Sequence, residues 1–160
     1  MMDVHRRIIW GLSLFIFLGC AEPSLEKGTT AQSPDPVLTM LHQGIIELNG
    51  SIDELRRHIA DLEQMPPVSD PNIQELHGLD LAGWKLHLQQ WMLQREHLLF
   101  TENRIQRVRA DAREKPRVAS EWNDRQQEFL KTLEELSMHR QKLERKRVEV
   151  ESQVVGKYFQ

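Results

Sequence analysis

Residues 38–62, LTMLHQGIIELNGSIDELRRHIADL, place Leu38, Leu41, Ile45, Leu48, Ile52, Leu55, Ile59 and Leu62 at alternating steps of three and four. Only a helix brings such positions back to one side, and a 3-4 repeat held this long is a coiled-coil seam. Ile45, Ile52 and Ile59 fall at a, and Leu41, Leu48, Leu55 and Leu62 at d. In isolation, isoleucine at a with leucine at d favours a parallel two-stranded coil. A homodimer through Ile45, Leu48, Ile52, Leu55, Ile59 and Leu62 is therefore one expectation; packing on other helices of the same chain is the preferred one. Asn49-Gly50-Ser51 interrupts the composition but not the phase, which predicts one continuous helix over 37–64, ended by Met65-Pro66-Pro67-Val68-Ser69.

Beyond this stretch, Asp70-Pro71 reads as an N-cap followed by proline at the first helical position. Gly78 and Gly83 weaken the turns that follow, so the firm start is expected as late as Asp80. Trp84, Trp91, Leu98, Ile105 and Ala112 recur every seven residues, and Leu79, Leu86, Leu93 and Phe100 repeat at the same spacing on a different side. A helix apolar on two sides has two neighbours. Pro116 coincides with a jump in heptad phase, which predicts a reversal there. The final segment carries Trp122, Phe129, Leu136, Leu143 and Val150 at d.

These patterns predict an all-α fold: an elongated antiparallel coiled-coil hairpin of helices 71–115 and 117–159, with a third, shorter helix, 37–64, packed on its base. The short helix is expected to cover about 72–100, where the second stripe lies, leaving a thinner two-helix tip over roughly 101–132.

The N-terminal side supplies an address. Arg6-Arg7 precede an apolar run of about a dozen residues, too short to span a bilayer comfortably and typical of an export signal. The run ends in Phe17-Leu18-Gly19-Cys20, which holds the chain's one cysteine. Phe17 does not suit the small-x-small end of a plain secretory signal, and the polar, proline-containing stretch after Cys20 argues against an uncleaved anchor. Phe17-Leu18-Gly19-Cys20 resembles the lipobox of bacterial lipoproteins, departing from it in having Phe where Leu is usual. The resemblance implies cleavage of residues 1–19 and lipidation of Cys20, which anchors the chain in a membrane. Ala21, where an inner-membrane retention signal would carry Asp, implies the outer membrane, facing the periplasm. Residues 20–36 then read as the lipidated cysteine and a flexible tether, with three prolines in the last sixteen of them, and 37–160 as the helical domain.

Loss of residues 1–19 changes the formal charge from −3 to −4, because Asp3, Arg6 and Arg7 leave together. Neither that balance nor export points to nucleic acid as a partner. Six histidines remain (His42, His58, His77, His87, His97 and His139), no two of them three or four apart, although Glu54/His58 and Glu135/His139 have that spacing as His-carboxylate pairs. No metal site is expected. The absence of a Gly-x-Ser-x-Gly elbow, a free thiol and a Gly-rich phosphate loop argues against catalysis and against a bound cofactor.

Two clusters of basic residues remain. Arg104, Arg107, Arg109, Arg113, Lys115 and Arg117 face only Asp111 and Glu114 in sequence, and Trp122 follows closely. Arg140, Lys142, Arg145, Lys146 and Arg147 form the other cluster, with Glu144 among them. The ordinary reading of both is a solvated helix face. The sharper reading is a contact with an anionic surface or an acidic partner, made by the tip arginines with Trp122. The sequence thus predicts a non-catalytic, lipid-anchored envelope protein that binds, as adaptor or scaffold. A periplasmic chaperone or stress- or metal-responsive sensor is the first alternative, and a subunit of an envelope secretion or transport assembly the second.

Overall fold

The computed structural model describes residues 35–158. The export signal, Cys20 and the tether as far as residue 34 lie outside the described residues. Three long α-helices account for nearly all of the rest: α1 (Pro36–Glu63), α2 (Pro71–Ala110) and α3 (Lys115–Tyr158), with a 3-10 turn at Ala112–Glu114 between the last two.

Both proline-led starts follow from capping. The Asp35 carboxylate accepts from Val37 N at 2.7 Å, and Pro36 occupies the first turn of α1, where its missing N–H costs nothing. Asp70 does the same for α2, accepting from Asn72 N at 2.9 Å and Ile73 N at 3.4 Å. That cap holds α2 helical from Pro71, through both Gly78 and Gly83, so the helix starts nine residues before Asp80. α1 likewise runs unbroken past Asn49-Gly50-Ser51, with Ser51 Oγ turned back to Glu47 O.

The reversal is centred on Asp111 rather than Pro116. Asp111 leaves the helical backbone region, closes α2 through its N–H to Arg107 O, and caps the 3-10 turn by accepting from Arg113 N at 2.9 Å. Pro116 is the second residue of α3, a position that needs no N–H donor, so it helps start a helix instead of breaking one. The predicted helix 71–115 is accordingly shorter, and the last helix begins two residues early.

α1 packs on α2, and α2 packs on α3, while no Cα of α1 comes within 8 Å of one in α3. α2 is the shared middle element. The stripe Trp84, Trp91, Leu98 and Ile105 serves α1: Trp84 meets His58 and Leu98 reaches Gly44. The stripe ending at Phe100 serves α3, with Phe100 stacked on Trp122. The core is densest along the α1 seam, where Leu41, Ile45, Leu48, Ile52, Leu55 and Ile59 are all buried. Each such side chain contributes about 1.5–3 kcal/mol by leaving water.

Contacts fix where α1 lies. Asp35 pairs with Arg109, His42 Nδ1 lies 3.8 Å from Glu102, Arg56 touches Met92, and Glu63 bonds Lys85 at 2.6 Å. α1 therefore runs antiparallel to α2 over residues 85–109, beside the turn, and not over 72–100 as the length argument predicts. The two-helix part is the opposite end, where Lys157 meets Asp70, Lys146 meets Glu75 and Arg147 meets Asp80. The cause is the linker. Residues 64–70 hold Pro66-Pro67, which favour an extended chain of about 3.1 Å per residue, and so cover roughly 20 Å. That matches about 21 Å for the stretch of α2 from Pro71 to Lys85 at 1.5 Å per residue. The linker runs back along α2, with Val68 N donating to Gln74 Oε1 at 2.8 Å.

Candidate functional site

The turn end gathers every arginine that the sequence singles out there, and most are spent on neighbours. Arg107 Nη1 donates to Glu121 Oε2 at 2.7 Å, and Nη2 donates to Glu114 Oε2 at 3.0 Å. These bonds, Glu121 first, raise the Arg107 pKa further, and the same contact holds the Glu121 carboxyl below its usual range. Arg117 also reaches Glu114, at 2.6 Å, and lies 3.6 Å from Glu121. Arg109 is paired with Asp35. Arg107, Arg109 and Arg117 thus pair with Asp35, Glu114 and Glu121, a closer balance than the sequence suggests. Asp35 comes from a distant segment and Glu121 lies four residues beyond Arg117, so a charge count confined to 104–117 misses both. Arg113, by contrast, has no side-chain partner among the described residues.

Arg104 and Trp122 are brought together. The Arg104 guanidinium sits 4.4 Å from the Trp122 ring centroid, and burial pulls its pKa down. Trp122 is half-buried at one end of an aromatic stack. Phe100 lies parallel to it at 6.0 Å, and His97 lies 5.2 Å from it; His97 in turn stacks on Phe129 at 4.1 Å and 18°. The spacing of His97, Phe100 and Arg104 puts all three on the side of α2 that α3 covers. Trp122 and Phe129 are one heptad apart on α3. His97 Nδ1 is buried without a hydrogen-bond partner among the described residues, and burial lowers the His97 pKa.

Beside this stack a cleft of about 100 Å³ opens between α2 and α3. Leu93, His97, Phe100 and Phe129 wall it, and Glu96, Arg125 and Glu128 stand around it. Arg125 and Glu128 neutralise each other at 2.6 Å. Glu96 is exposed and has no partner among the described residues. The heptad pattern reads these aromatic positions as core and gives no sign of the cleft, because the opening depends on which residues of α3 lie beside them.

A second aromatic group spans α1 and α2: His58 meets Trp84 edge-on at 5.0 Å, and His87 meets Trp91 edge-on at 4.6 Å. Among the described residues no group of three His, Cys, Asp or Glu side chains is placed to hold a metal ion. No described helix is long and apolar enough to cross a membrane. In the second basic cluster, Lys146 pairs with Glu75 at 2.7 Å, and Arg147 lies between Asp80 and Glu151 at 3.3 and 3.1 Å. Arg140, Lys142 and Arg145 face solvent. No protein-family model, curated protein or solved structure matches the chain.

Proposed function

We propose that this chain is a lipid-anchored cell-envelope protein, attached through Cys20, whose helical body works by binding as an adaptor or scaffold and not by catalysis. The body in this reading is an antiparallel coiled-coil hairpin, α2 with α3, buttressed by α1 at the turn end. The observation that carries the proposal is the pairing of Phe17-Leu18-Gly19-Cys20 with a body whose ionisable groups bind one another across helices. Arg107 with Glu121, Lys85 with Glu63 and Lys157 with Asp70 are examples. Such pairs set the register of a scaffold, whereas a reaction centre needs polar groups converging on a space.

The pairing of Asp35 with Arg109 sets an orientation in this reading. The described chain enters the body at the turn end, the end that carries Arg113, Lys115, Arg117 and Trp122.

The test is metabolic labelling with palmitate in a bacterial host. The wild-type chain takes up label and fractionates with outer membrane, and Cys20→Ser does neither. Equal labelling of the two overturns the anchor. Crosslinking in intact cells then identifies the partner, and its loss on Arg113→Gln/Arg117→Gln assigns the contact to the turn end. Because the α1 seam is buried within the chain, a parallel dimer through Ile45, Leu48, Ile52, Leu55, Ile59 and Leu62 would require α1 to leave α2. Light scattering on the form lacking residues 1–20 gives a monomer in our reading, and a dimer otherwise.

A further inference from the structure

The cleft between α2 and α3 has an unusual combination of walls and charge. Its inner surface is aromatic and aliphatic: His97, Phe100 and Phe129 with Leu93. Of the three charged groups around it, Arg125 and Glu128 cancel, and Glu96 is left as an unpartnered carboxylate. The face of an aromatic ring carries negative charge density, so rings beside a carboxylate attract a positive group. The same stack already holds one organic cation from the chain itself, the Arg104 guanidinium over Trp122. The cleft repeats that chemistry with its own cation, Arg125, already paired to Glu128.

We propose that this cleft is a binding site for a small alkylammonium group, with Glu96 as its counter-ion and the Phe100, His97 and Phe129 rings as its walls. An opening of about 100 Å³ admits a group of the size of tetramethylammonium or the end of a lysine side chain. The group can come from a free quaternary amine or from a lysine of another protein. The proposal goes beyond the anchored-adaptor reading and stands without it.

The experiment is a titration of the full chain in non-ionic detergent micelles, read by the NMR signals of the His97 ring protons. Tetramethylammonium and n-butylammonium are the two cations, and tert-butanol is the uncharged control. We expect saturable shifts with at least one cation, at a dissociation constant on the order of 1–10 mM. The stronger of the two assigns the source as quaternary amine or lysine. Glu96→Gln weakens binding by about three- to ten-fold. Arg125→Gln, which frees Glu128, tightens it by a similar factor. Both substitutions are on exposed side chains, and unchanged helical circular dichroism confirms that they leave the fold intact. No saturation with either cation overturns the proposal. So does equal binding of tert-butanol, or indifference to both variants, since either would reduce the cleft to a greasy notch.

Discussion

Three glycines lie inside long helices with no tertiary role to justify them. Gly50 is in the middle of α1, and Gly78 and Gly83 are in the first half of α2. None has a positive φ, and a Cβ added at any of them meets no atom within 4 Å. An alanine at each site therefore keeps its helical dihedrals without clash. Glycine costs about 0.8–1 kcal/mol relative to alanine in a helix interior, so each substitution should stabilise the protein by about that much. The triple variant Gly50→Ala/Gly78→Ala/Gly83→Ala should gain about 2–3 kcal/mol, because the sites share no partner and their effects should add. For a domain of this size, that raises Tm by roughly 5–10 °C. Gly44→Ala is a milder case, its Cβ resting at 3.9 Å from Leu98 Cδ1, an ordinary contact distance. The assay is thermal unfolding followed by circular dichroism at 222 nm, with urea titration to check that the m-value is unchanged. A triple variant no more stable than wild type would refute the reasoning, since it would mean that one of these turns is not helical in the folded protein.

Other outcomes follow from the packing. Ile52→Ala removes a side chain only 3% exposed in the α1 seam and should cost about 2–5 kcal/mol in urea unfolding, far more than Ile46→Ala at an exposed site of the same helix. Burial lowers the His97 pKa, so the folded state binds its proton less readily than the unfolded chain does. Its contribution is full above about pH 6.5 and declines as pH falls from there. His97→Phe should flatten the loss of stability between about pH 6.5 and 5, above the carboxylate range, as seen in Tm measured against pH. Glu121→Gln takes one arm from the Arg107 fork but leaves Glu114 and open solvent, so Tm should change little. A large drop in Tm would show the fork to be better desolvated than its exposure indicates.

The α1 seam was legible because its period is unbroken, and burial follows it from Leu41 to Ile59. The Asp70-Pro71 start was legible because a cap is chemistry local to four residues. The two stripes of α2 revealed two neighbours, but not which stripe belonged to which. Matching helix lengths assigned the stripe ending at Phe100 to α1, whereas Phe100 meets Trp122 of α3. Length matching assumes a tight connection, and Pro66-Pro67 made the connection long. The turn was misplaced for a related reason: proline stops a helix only where its N–H is needed, and Asp111 had already ended α2 before Pro116. The candidate site was the least legible part. Asp35 neutralises Arg109 from a segment far away in sequence, Glu121 stands just outside the basic cluster, and the cleft beside His97 is created by the register of α3 against α2.

The middle position of α2 also shapes how this sequence can change over evolutionary time. α1 and α3 each answer to one neighbour, so most of their circumference is free to drift, and either could be exchanged for another amphipathic helix of matching stripe. α2 must fit both partners at once. An apolar replacement on one of its sides leaves the other unchanged, but an insertion of a single residue anywhere in 85–107 would rotate both stripes by about 100° and detach both neighbours together. Tolerance of insertions should therefore be lowest in α2 and highest in the 64–70 linker, a ranking that a library of single-residue insertions would measure directly.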